Sequence, residues 1–313
     1  MAVEFRKLGE GMKNILDLKW SPVGVRLMAA EKDVPNAEVL TKHRYCQAVM
    51  KARKGYNVLL KKDELSCPAA ASSCGFRELT DNLKSGKALV GFGIVSDEAV
   101  GQRMFAGMPK LQPGLIKQIH LFPLDRFDYN PDVVIVEDEV EKLMWIVLAY
   151  LNMKGGERVQ ASTAVLQAAC VDATIIPYLE NRLNYSFGCY GCRDATDIGM
   201  NEAILGFPGR FLPSIIEILK YLSKKAIPMS RSKQAYQHLL SYQMVANEGH
   251  AVKSPNSGRI KNLFKTILRA TSIFKVKIER KNVLFQVGYP SKSKLRLNDM
   301  TIVFYELFTY VGD

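Results

Sequence analysis

Six cysteines are the residues whose type and spacing could support chemistry in this chain. They are Cys46, Cys67, Cys74, Cys170, Cys189 and Cys192. Thiolates are soft ligands that suit zinc and iron–sulfur clusters, whereas an isolated buried cysteine acts as a small hydrophobic residue. Cys189 and Cys192 have C-x-x-C spacing, and small residues separate Cys67 from Cys74. Spacing alone therefore favours a site shared by these two pairs.

The stretch YSFGCYGCRDAT is open to a second kind of chemistry. Gly188 and Gly191 flank Cys189, and Arg193 follows Cys192. Glycines let backbone amides approach a sulfur-rich cluster, and Arg193 supplies a cation for an anionic ligand. If a helix begins here, its N-terminus and Arg193 would also acidify a thiol. The Cys189–Cys192 pair is therefore open to metal binding or to thiol redox chemistry.

Two further residues have types that suit a site. His43 precedes Cys46 by three residues, which would place both on one face of a helix. Arg210 stands at the predicted start of a helix, where free amides can bind an anion. A surface histidine and an ordinary helix start are the simpler interpretations. The segment GFGIVSDEAVG lacks the G-x-G-x-x-G pattern and the lysine of a P-loop, so we do not predict nucleotide binding.

The composition is that of a globular protein, with 313 residues of which 48% are hydrophobic and 24% charged. The first residues lack the apolar core of a secretory signal. The longest apolar run, LMWIVLAYL, has nine residues, and a bilayer span needs about 20. We therefore expect a cytoplasmic protein with no membrane partner. In reducing cytosol, cysteines suit metal or redox chemistry better than structural disulfides.

Strand-like and helix-like segments alternate along the first two thirds of the chain. PVGVRLMA, YNVLL, IHLFPL and DVVIVE are apolar or β-branched runs that predict strands. Helices are predicted at 42–54, at 138–152 and in PGRFLPSIIEILKYLSK. The helix at 138–152 contains the nine-residue apolar run, so we expect it to be buried nearly all round. The alternation predicts an α/β fold with a mixed sheet and flanking helices.

The last quarter of the chain has a different character. Residues 241–313 hold 12 Lys/Arg and 5 Asp/Glu, so they carry +7 of the net charge of +12. IKNLFKTILRATSIF has helical spacing, FKVKIE and VLFQVGY around RKN predict a hairpin, and TIVFYELFTYV predicts a strand or a buried helix. We predict a cysteine-containing α/β domain at 1–235 and a small basic α+β appendage at 236–313. Its charge permits nucleic-acid binding, but a solvated basic surface is the favoured interpretation.

Six short motifs in order give the chain a resemblance to a known family. They are LKWSPVGVRL, YCQAVMKA, SCPAAASSCGF, NPDVVIV, ACVDATIIPYL and YSFGCYGCR. Over about residues 10–225 they resemble the domain of unknown function 169, an uncharacterised, largely archaeal and anaerobe-associated family. The family brings no established activity, and the resemblance does not extend to the basic appendage.

The resemblance implies a different choice of cysteines. The pattern of the family has one cysteine in each of four motifs, which correspond here to Cys46, Cys67, Cys170 and Cys189. This chain departs from it in reading CPAAA where members commonly have Cys-Pro-Gly-Gly-Ala. It also has Cys74 and Cys192 where members usually have Leu and Ser. Four single thiolates match the ligand number of a [4Fe–4S] cluster or of a Cys₄ zinc site; close cysteine pairs are usual for structural zinc, so the cluster is favoured.

The sequence therefore predicts a cytoplasmic cysteine-ligated metal protein, with an iron–sulfur cluster and an electron-transfer or small-molecule role in anaerobic metabolism. Its metal ligands would be Cys46, Cys67, Cys170 and Cys189, while Arg193, Gly188 and Gly191 would contact a cofactor or a small anionic ligand. A redox partner would follow from electron transfer. The alternatives are a thiol redox enzyme that uses Cys189 and Cys192, and a non-enzymatic protein that binds a ligand or nucleic acid. Whether the protein is an enzyme stays open.

Overall fold

The apolar and β-branched runs form one seven-stranded sheet in the computed structural model, which describes residues 4–240 and four later strands. The strands are β1 (Val23–Met28), β2 (Glu38–Leu40), β3 (Val58–Lys61), β4 (Gln118–Pro123), β5 (Val133–Glu139), β6 (Asn184–Ser186) and β7 (Glu202–Pro208). Their order across the sheet is β2-β3-β4-β1-β5-β7-β6. The β2–β3 pair is parallel, and the other five pairs are antiparallel. The predicted α/β fold with a mixed sheet is confirmed.

Alternating residues of the central strands divide the core into two layers. On β5, Val133 and Ile135 belong to the core on one side of the sheet, and Val134 and Val136 belong to the core on the other. Successive side chains of a strand point to opposite faces, so an unbroken apolar run such as VVIV is buried on both. We name the first side the cysteine face, because all six cysteines lie in it or pack against it.

Helices cover both faces of the sheet. They are α1 (Phe5–Leu16), α2 (Tyr45–Arg53), α3 (Pro68–Ser73), α4 (Asp81–Lys84), α5 (Lys87–Gly91), α6 (Glu98–Ala106), α7 (Val140–Met153), α8 (Ile176–Glu180), α9 (Tyr190–Ala195), α10 (Leu212–Leu222) and α11 (Ala226–Ser232). A π-helix at Ala168–Ile175 runs directly into α8. Residues of α1, α7 and α10 build the core opposite the cysteine face, while α2, α3 and the π-helix lie on the cysteine face.

The long helix α7 is less buried than its sequence predicts. Trp145, Ile146 and Ala149 pack into the core, but the side chain of Met144 is 45% exposed and that of Val140 is 54% exposed. One flank of α7 packs against β5, β7 and α10, and the other flank faces solvent. The prediction of nearly complete burial was therefore wrong, because apolar residues occupy both flanks and only one of them is covered.

The π-helix packs very closely over β7. A methyl group added at Gly206 would lie 1.8 Å from the carbonyl oxygen of Ala173, so only glycine allows this approach. Within the π-helix, the hydroxyl of Thr174 donates to the carbonyl of Ala169 at 2.8 Å, five residues earlier. Tyr45 of α2 shares a hydrogen bond of 2.9 Å with the same hydroxyl. The helix is thus fixed both to the sheet and to α2.

The chain divides into two units, Met1–Lys233 and Gln234–Asp313. In the second unit, β8 (Lys275–Glu279), β9 (Asn282–Gln286), β10 (Lys292–Leu297) and β11 (Met300–Tyr305) form a sheet with the order β10-β11-β9-β8. β8 and β9 make the antiparallel hairpin predicted around RKN, and TIVFY lies on a strand. The helix predicted in IKNLFKTILRATSIF lies outside the described residues. Among the described helices, none has the length and apolar character needed to cross a membrane.

Candidate functional site

The cysteine face brings six thiols from four segments of the chain into one buried region. Five of the cysteines belong to the core, and Cys67 is half-buried against it. All six are free thiols rather than disulfides. Cysteines that are 146 positions apart in the sequence, at the two ends of the series, thus share one hydrophobic cluster. The elements that carry them explain how.

Cys46 lies in the first turn of α2. The helix begins after Arg44, whose backbone amide is bound by the side chain of Gln47 at 2.9 Å in a capping arrangement. His43 precedes this helix: it pairs with Leu65 in a short bridge, and its Nδ1 contacts the carbonyl of Thr41 at 2.7 Å. The expectation that His43 and Cys46 share a helix face was wrong, because the helix starts between them.

Cys67 and Cys74 occupy the two ends of α3. Cys67 is the residue before the first turn, Pro68 opens the helix, and Cys74 follows the last turn. Proline is favoured at the first helical position and alanine throughout a helix, which explains why the run PAAASS is helical. The alanines are buried and let α3 pack against the π-helix. Cys74 is fully buried.

Cys170 stands in the middle of the cluster, on the π-helix. Charges on Cys67 and Cys74 from α3, and on Cys192 and Cys189 from α9, would all act on its thiol. Burial raises the pKa of Cys170 well above its ordinary value, and those neighbouring thiols raise it further. Cys170 is therefore the thiol where the α3 and α9 groups of cysteines meet.

Cys189 and Cys192 form the closest pair of thiols. Cys189 precedes the first turn of α9, and its sulfur accepts the backbone N–H of Cys192 at 3.2 Å. The two sulfur atoms are 2.9 Å apart. The thiol of Cys192 also makes a hydrogen bond with Cys46. Cys192 thus connects Cys46 to Cys189, a position that the family pattern gave no reason to expect.

Amides of the π-helix approach the same two sulfur atoms. The backbone of Ala168 makes a hydrogen bond with Cys189, and that of Ala169 makes one with Cys192. Sequence reasoning assigned such contacts to Gly188 and Gly191 instead. A methyl group added at Gly191 would have no neighbour within 4 Å, and Gly188 is the position with φ +87° that turns the chain beside Arg193.

The surroundings of Cys74, Cys170, Cys189 and Cys192 favour the neutral thiol. The hydrogen bond with Cys192 and burial raise the pKa of Cys189. For Cys192, the hydrogen bond from Cys189 lowers the pKa, but the bond with Cys46 and burial outweigh it and the net shift is upward. Burial raises the pKa of Cys74 to about 12. A thiolate is costly in this environment unless a cation accompanies it.

Arg193 is bound to three backbone carbonyls. Its guanidinium donates to the carbonyls of Phe187, Gly199 and Glu202, the latter two at 3.0 and 3.1 Å. These bonds fix the segments on either side of α9. The residue therefore braces the chain around Cys189 and Cys192, and because it is also exposed, its contact with a cofactor or an anionic ligand stays a prediction.

A row of polar contacts from α2 holds α9 in place. Arg44 donates to the carbonyl of Gly191 and pairs with Asp194 at 3.2 Å, and Gln47 donates to the carbonyl of Ala195 at 3.3 Å. At the other end of α2, Arg53 and Lys54 both pair with Asp197. This row aligns the Cys46 side of α2 with Cys192.

The four predicted ligands lie in the same buried region, but they do not all contact one another directly. Cys170 lies among Cys67 and Cys189, and Cys46 reaches them through Cys192. Within the part of the chain that the structure describes, no group of three or more His, Cys, Asp or Glu side chains has an arrangement that could hold a single metal ion. The arrangement is a connected series of thiols against helix amides.

Fold and site define the first unit as an α/β protein with a buried cluster of cysteines. Its sequence matches the model of the DUF169 family, described as an uncharacterised ArCR, over residues 11–218. The chain therefore belongs to this family. It is also similar to an uncharacterised protein of Methanocaldococcus jannaschii, with 28% identity over 222 residues that cover 70% of this chain and 94% of that protein. No solved structure matches the chain.

Proposed function

We propose that the cysteine cluster binds an iron–sulfur cluster and that the protein uses it for electron transfer or for chemistry on a small molecule in anaerobic metabolism. The observation that supports this most directly is the gathering of Cys67, Cys74, Cys189 and Cys192 around Cys170 near the start of one π-helix, with Cys46 connected to them through Cys192. A core built only for stability would have no need of a soft donor at six separate positions. The proposed ligands are Cys46, Cys67, Cys170 and Cys189.

The donor set fits such a group in its chemistry and in its surroundings. Iron–sulfur clusters are bound by cysteine thiolates, and hydrogen bonds to the sulfur atoms adjust their potential. The amides of Ala168 and Ala169 supply hydrogen bonds of this kind. A cluster also spreads its thiolates over several metal atoms, so its ligands need not converge on one point. Zinc is the alternative metal for the same thiols.

Metal binding would change the protonation of the site. The thiols of Cys170, Cys189 and Cys192 have raised pKa values because they are buried and adjacent. Ligand thiols lose their protons to bind a metal, and the positive charge of the metal removes the cost that keeps them neutral. Loading should therefore release protons and become more favourable as the pH rises.

The first test is the metal content of the protein after anaerobic purification. We expect a brown protein with about four iron and four sulfide per chain, as one [4Fe–4S] cluster requires. Cys67→Ser and Cys170→Ser should each lower the iron content and the visible absorbance by at least about half. A colourless protein without metal would overturn the proposal, and one zinc per chain would replace the cluster by zinc.

Matched variants in the same region separate ligands from neighbours. Cys74→Ser and Cys192→Ser change the two cysteines that lie outside the family pattern, and both should retain iron and sulfide. If Cys192→Ser loses the metal while Cys46→Ser keeps it, the ligand set contains Cys192 in place of Cys46. Circular dichroism of each variant verifies that the fold is intact.

The 2.9 Å separation of the Cys189 and Cys192 sulfur atoms favours a second candidate function. The pair would act as a thiol redox centre, passing two electrons and two protons to a disulfide substrate as its own disulfide forms. Cys192→Ser distinguishes the two functions: it should abolish dithiol oxidation by a small disulfide in this second case and leave the iron content unchanged in the first. The raised pKa of both thiols weighs against a fast nucleophile.

A further inference from the structure

A cavity lies at the β6 edge of the sheet, next to the segment that follows α7. Its volume is about 540 Å³, within the range of small-molecule sites. Tyr150 and Lys154 from the end of α7 form one side, and residues 157–162 and 180–183 form the others. No part of the proposed iron–sulfur site lines it.

Three cations and two carboxylates, those of Glu157 and Glu180, line this cavity. Arg182 is paired with Glu180 at 2.6 Å and donates to the carbonyl of Gln160 at 2.8 Å. Lys154 and Arg158 are different: among residues 4–240, neither forms an ion pair with a carboxylate. The ammonium of Lys154 lies over the ring of Tyr150, 5.8 Å from its centroid. Two cations are thus available to a ligand.

A second aromatic ring, that of Phe211, lies beside Lys154 and contacts a further cation. Lys154 also lies 5.2 Å from the centroid of Phe211, and the guanidinium of Arg210 lies 5.4 Å from the same centroid. The ring centroids of Tyr150 and Phe211 are 6.0 Å apart. Arg210 lies in the 3₁₀ turn Gly209–Phe211 that runs directly into α10, which agrees with the helix start predicted from the sequence.

One wall of the cavity is fixed by a buried amide. The side chain of Asn184 accepts from the N–H of Ser162 at 2.8 Å and donates to its carbonyl at 2.9 Å. The same amide donates to the carbonyl of Asp172 in the π-helix at 2.8 Å. The wall is therefore formed before any ligand binds, which lowers the entropy cost of binding.

We propose that this cavity binds a small molecule that carries phosphate or carboxylate groups, with Lys154 and Arg158 as its charged contacts. Hydrogen bonds between ionised groups are the stronger ones in proteins, so the two cations favour an anionic ligand. Asn184 connects the wall of the cavity that contains Ser162 to the π-helix that carries Cys170. The proposal does not depend on what the thiols bind.

The test is titration of the full-length protein with pyrophosphate, inorganic phosphate and citrate at low ionic strength, followed by calorimetry. We expect saturable binding of one equivalent of at least one of these anions. Lys154→Gln combined with Arg158→Gln should weaken that binding by about tenfold or more, which corresponds to about 1.4 kcal/mol. Ala161→Trp, which fills the cavity while keeping both cations, should also abolish it.

The matched control replaces two exposed lysines at the other end of α10. Lys220→Gln combined with Lys224→Gln removes the same charge and should leave the affinity unchanged. Equal weakening in both double variants, or no saturable binding of any of the three anions, would overturn the proposal. Binding of pyrophosphate alone would identify a phosphate ligand, and binding of citrate alone a carboxylate. The metal content of Lys154→Gln with Arg158→Gln should equal that of the wild-type protein, which separates this result from the fate of the cysteine site.

Discussion

At the scale of single residues, His120 on β4 is a buried histidine that the sequence did not single out. It has no exposed surface, and its Nε2 lies 2.6 Å from the amide oxygen of Asn57. Its Nδ1 has no hydrogen-bond partner among residues 4–240. Burial lowers the pKa of His120 to about 4, and the charge of Arg26 contributes in the same direction.

His120 should make stability depend on pH. The pKa of His120 in the folded state lies below its ordinary value of 6.5. The stabilisation that the neutral His120 side chain gives to the folded state is therefore complete above about pH 6.5, and it is lost as the pH falls towards 4. The wild-type protein should lose about 2–3 kcal/mol more of its free energy of unfolding between pH 7 and pH 4.5 than His120→Gln. Urea unfolding at the two pH values measures this, and equal losses in both proteins would contradict it.

The sequence could indicate which residue types form the candidate site, but not all of the contacts that they make. Soft donors in short motifs identified Cys67, Cys170 and Cys189, which the structure brings close together. The roles of Cys192 and Arg193 were beyond local reasoning. Cys192 gains its importance from Cys46, 146 positions away on α2, and the carbonyls that bind Arg193 come from two segments on either side of α9, which only tertiary packing brings together.

At the scale of elements, the contact between the π-helix and β7 should control the stability of the cysteine face. Gly206→Ala places a methyl group 1.8 Å from the carbonyl oxygen of Ala173, so the helix must move away from the sheet. We expect a loss of about 3 kcal/mol or more in the free energy of unfolding, together with weaker binding of the proposed metal, because Cys170 lies on the displaced helix. Thermal unfolding and metal analysis of the variant measure the two effects.

Gly191→Ala is the control for this change. A methyl group there meets no atom within 4 Å, and alanine is the better helix former within α9, so the free energy of unfolding should change by less than about 1 kcal/mol. Similar losses in the two variants would show that the close approach at Gly206 is not what fixes the π-helix.

Regular elements were predictable where the periodicity was strong. The strands β1, β4 and β5 and the helices α2, α7 and α10 all follow from local patterns of apolar residues. The π-helix and the short helix α3 do not. A π-helix is stabilised by tertiary contacts that a local pattern does not reveal, here those with β7 and Tyr45. The run PAAASS is too short for periodicity to distinguish a helix from a loop.

At the scale of the whole molecule, the first unit should fold without the basic segment. The family model ends at residue 218, the relative from Methanocaldococcus jannaschii consists almost entirely of the matched region, and the first unit ends at Lys233. A protein of residues 1–240 should therefore unfold cooperatively and keep the metal content of the full chain. Calorimetry and metal analysis test this, and an aggregated or non-cooperative product would contradict it.

The same pair of proteins tests the remaining interpretation of the charge. If the basic segment contacts nucleic acid, the full chain should bind DNA or RNA with an affinity that falls steeply with salt, and residues 1–240 should not. Binding by neither protein would leave the segment as a solvated basic surface or a cap on another part of the chain.

The order of the strands has a consequence for the synthesis of the protein. β1 lies in the middle of the sheet, but its two partners, β4 and β5, leave the ribosome about 100 residues after it. Cys46 likewise precedes Cys189 by 143 positions, which at typical translation rates is a delay of roughly 7–30 s. During that interval the early thiols are exposed on an unfinished chain, open to oxidation and to adventitious metals. If the thiols bind the proposed metal, the cell must therefore protect the nascent chain or supply the metal only after the last cysteine has emerged.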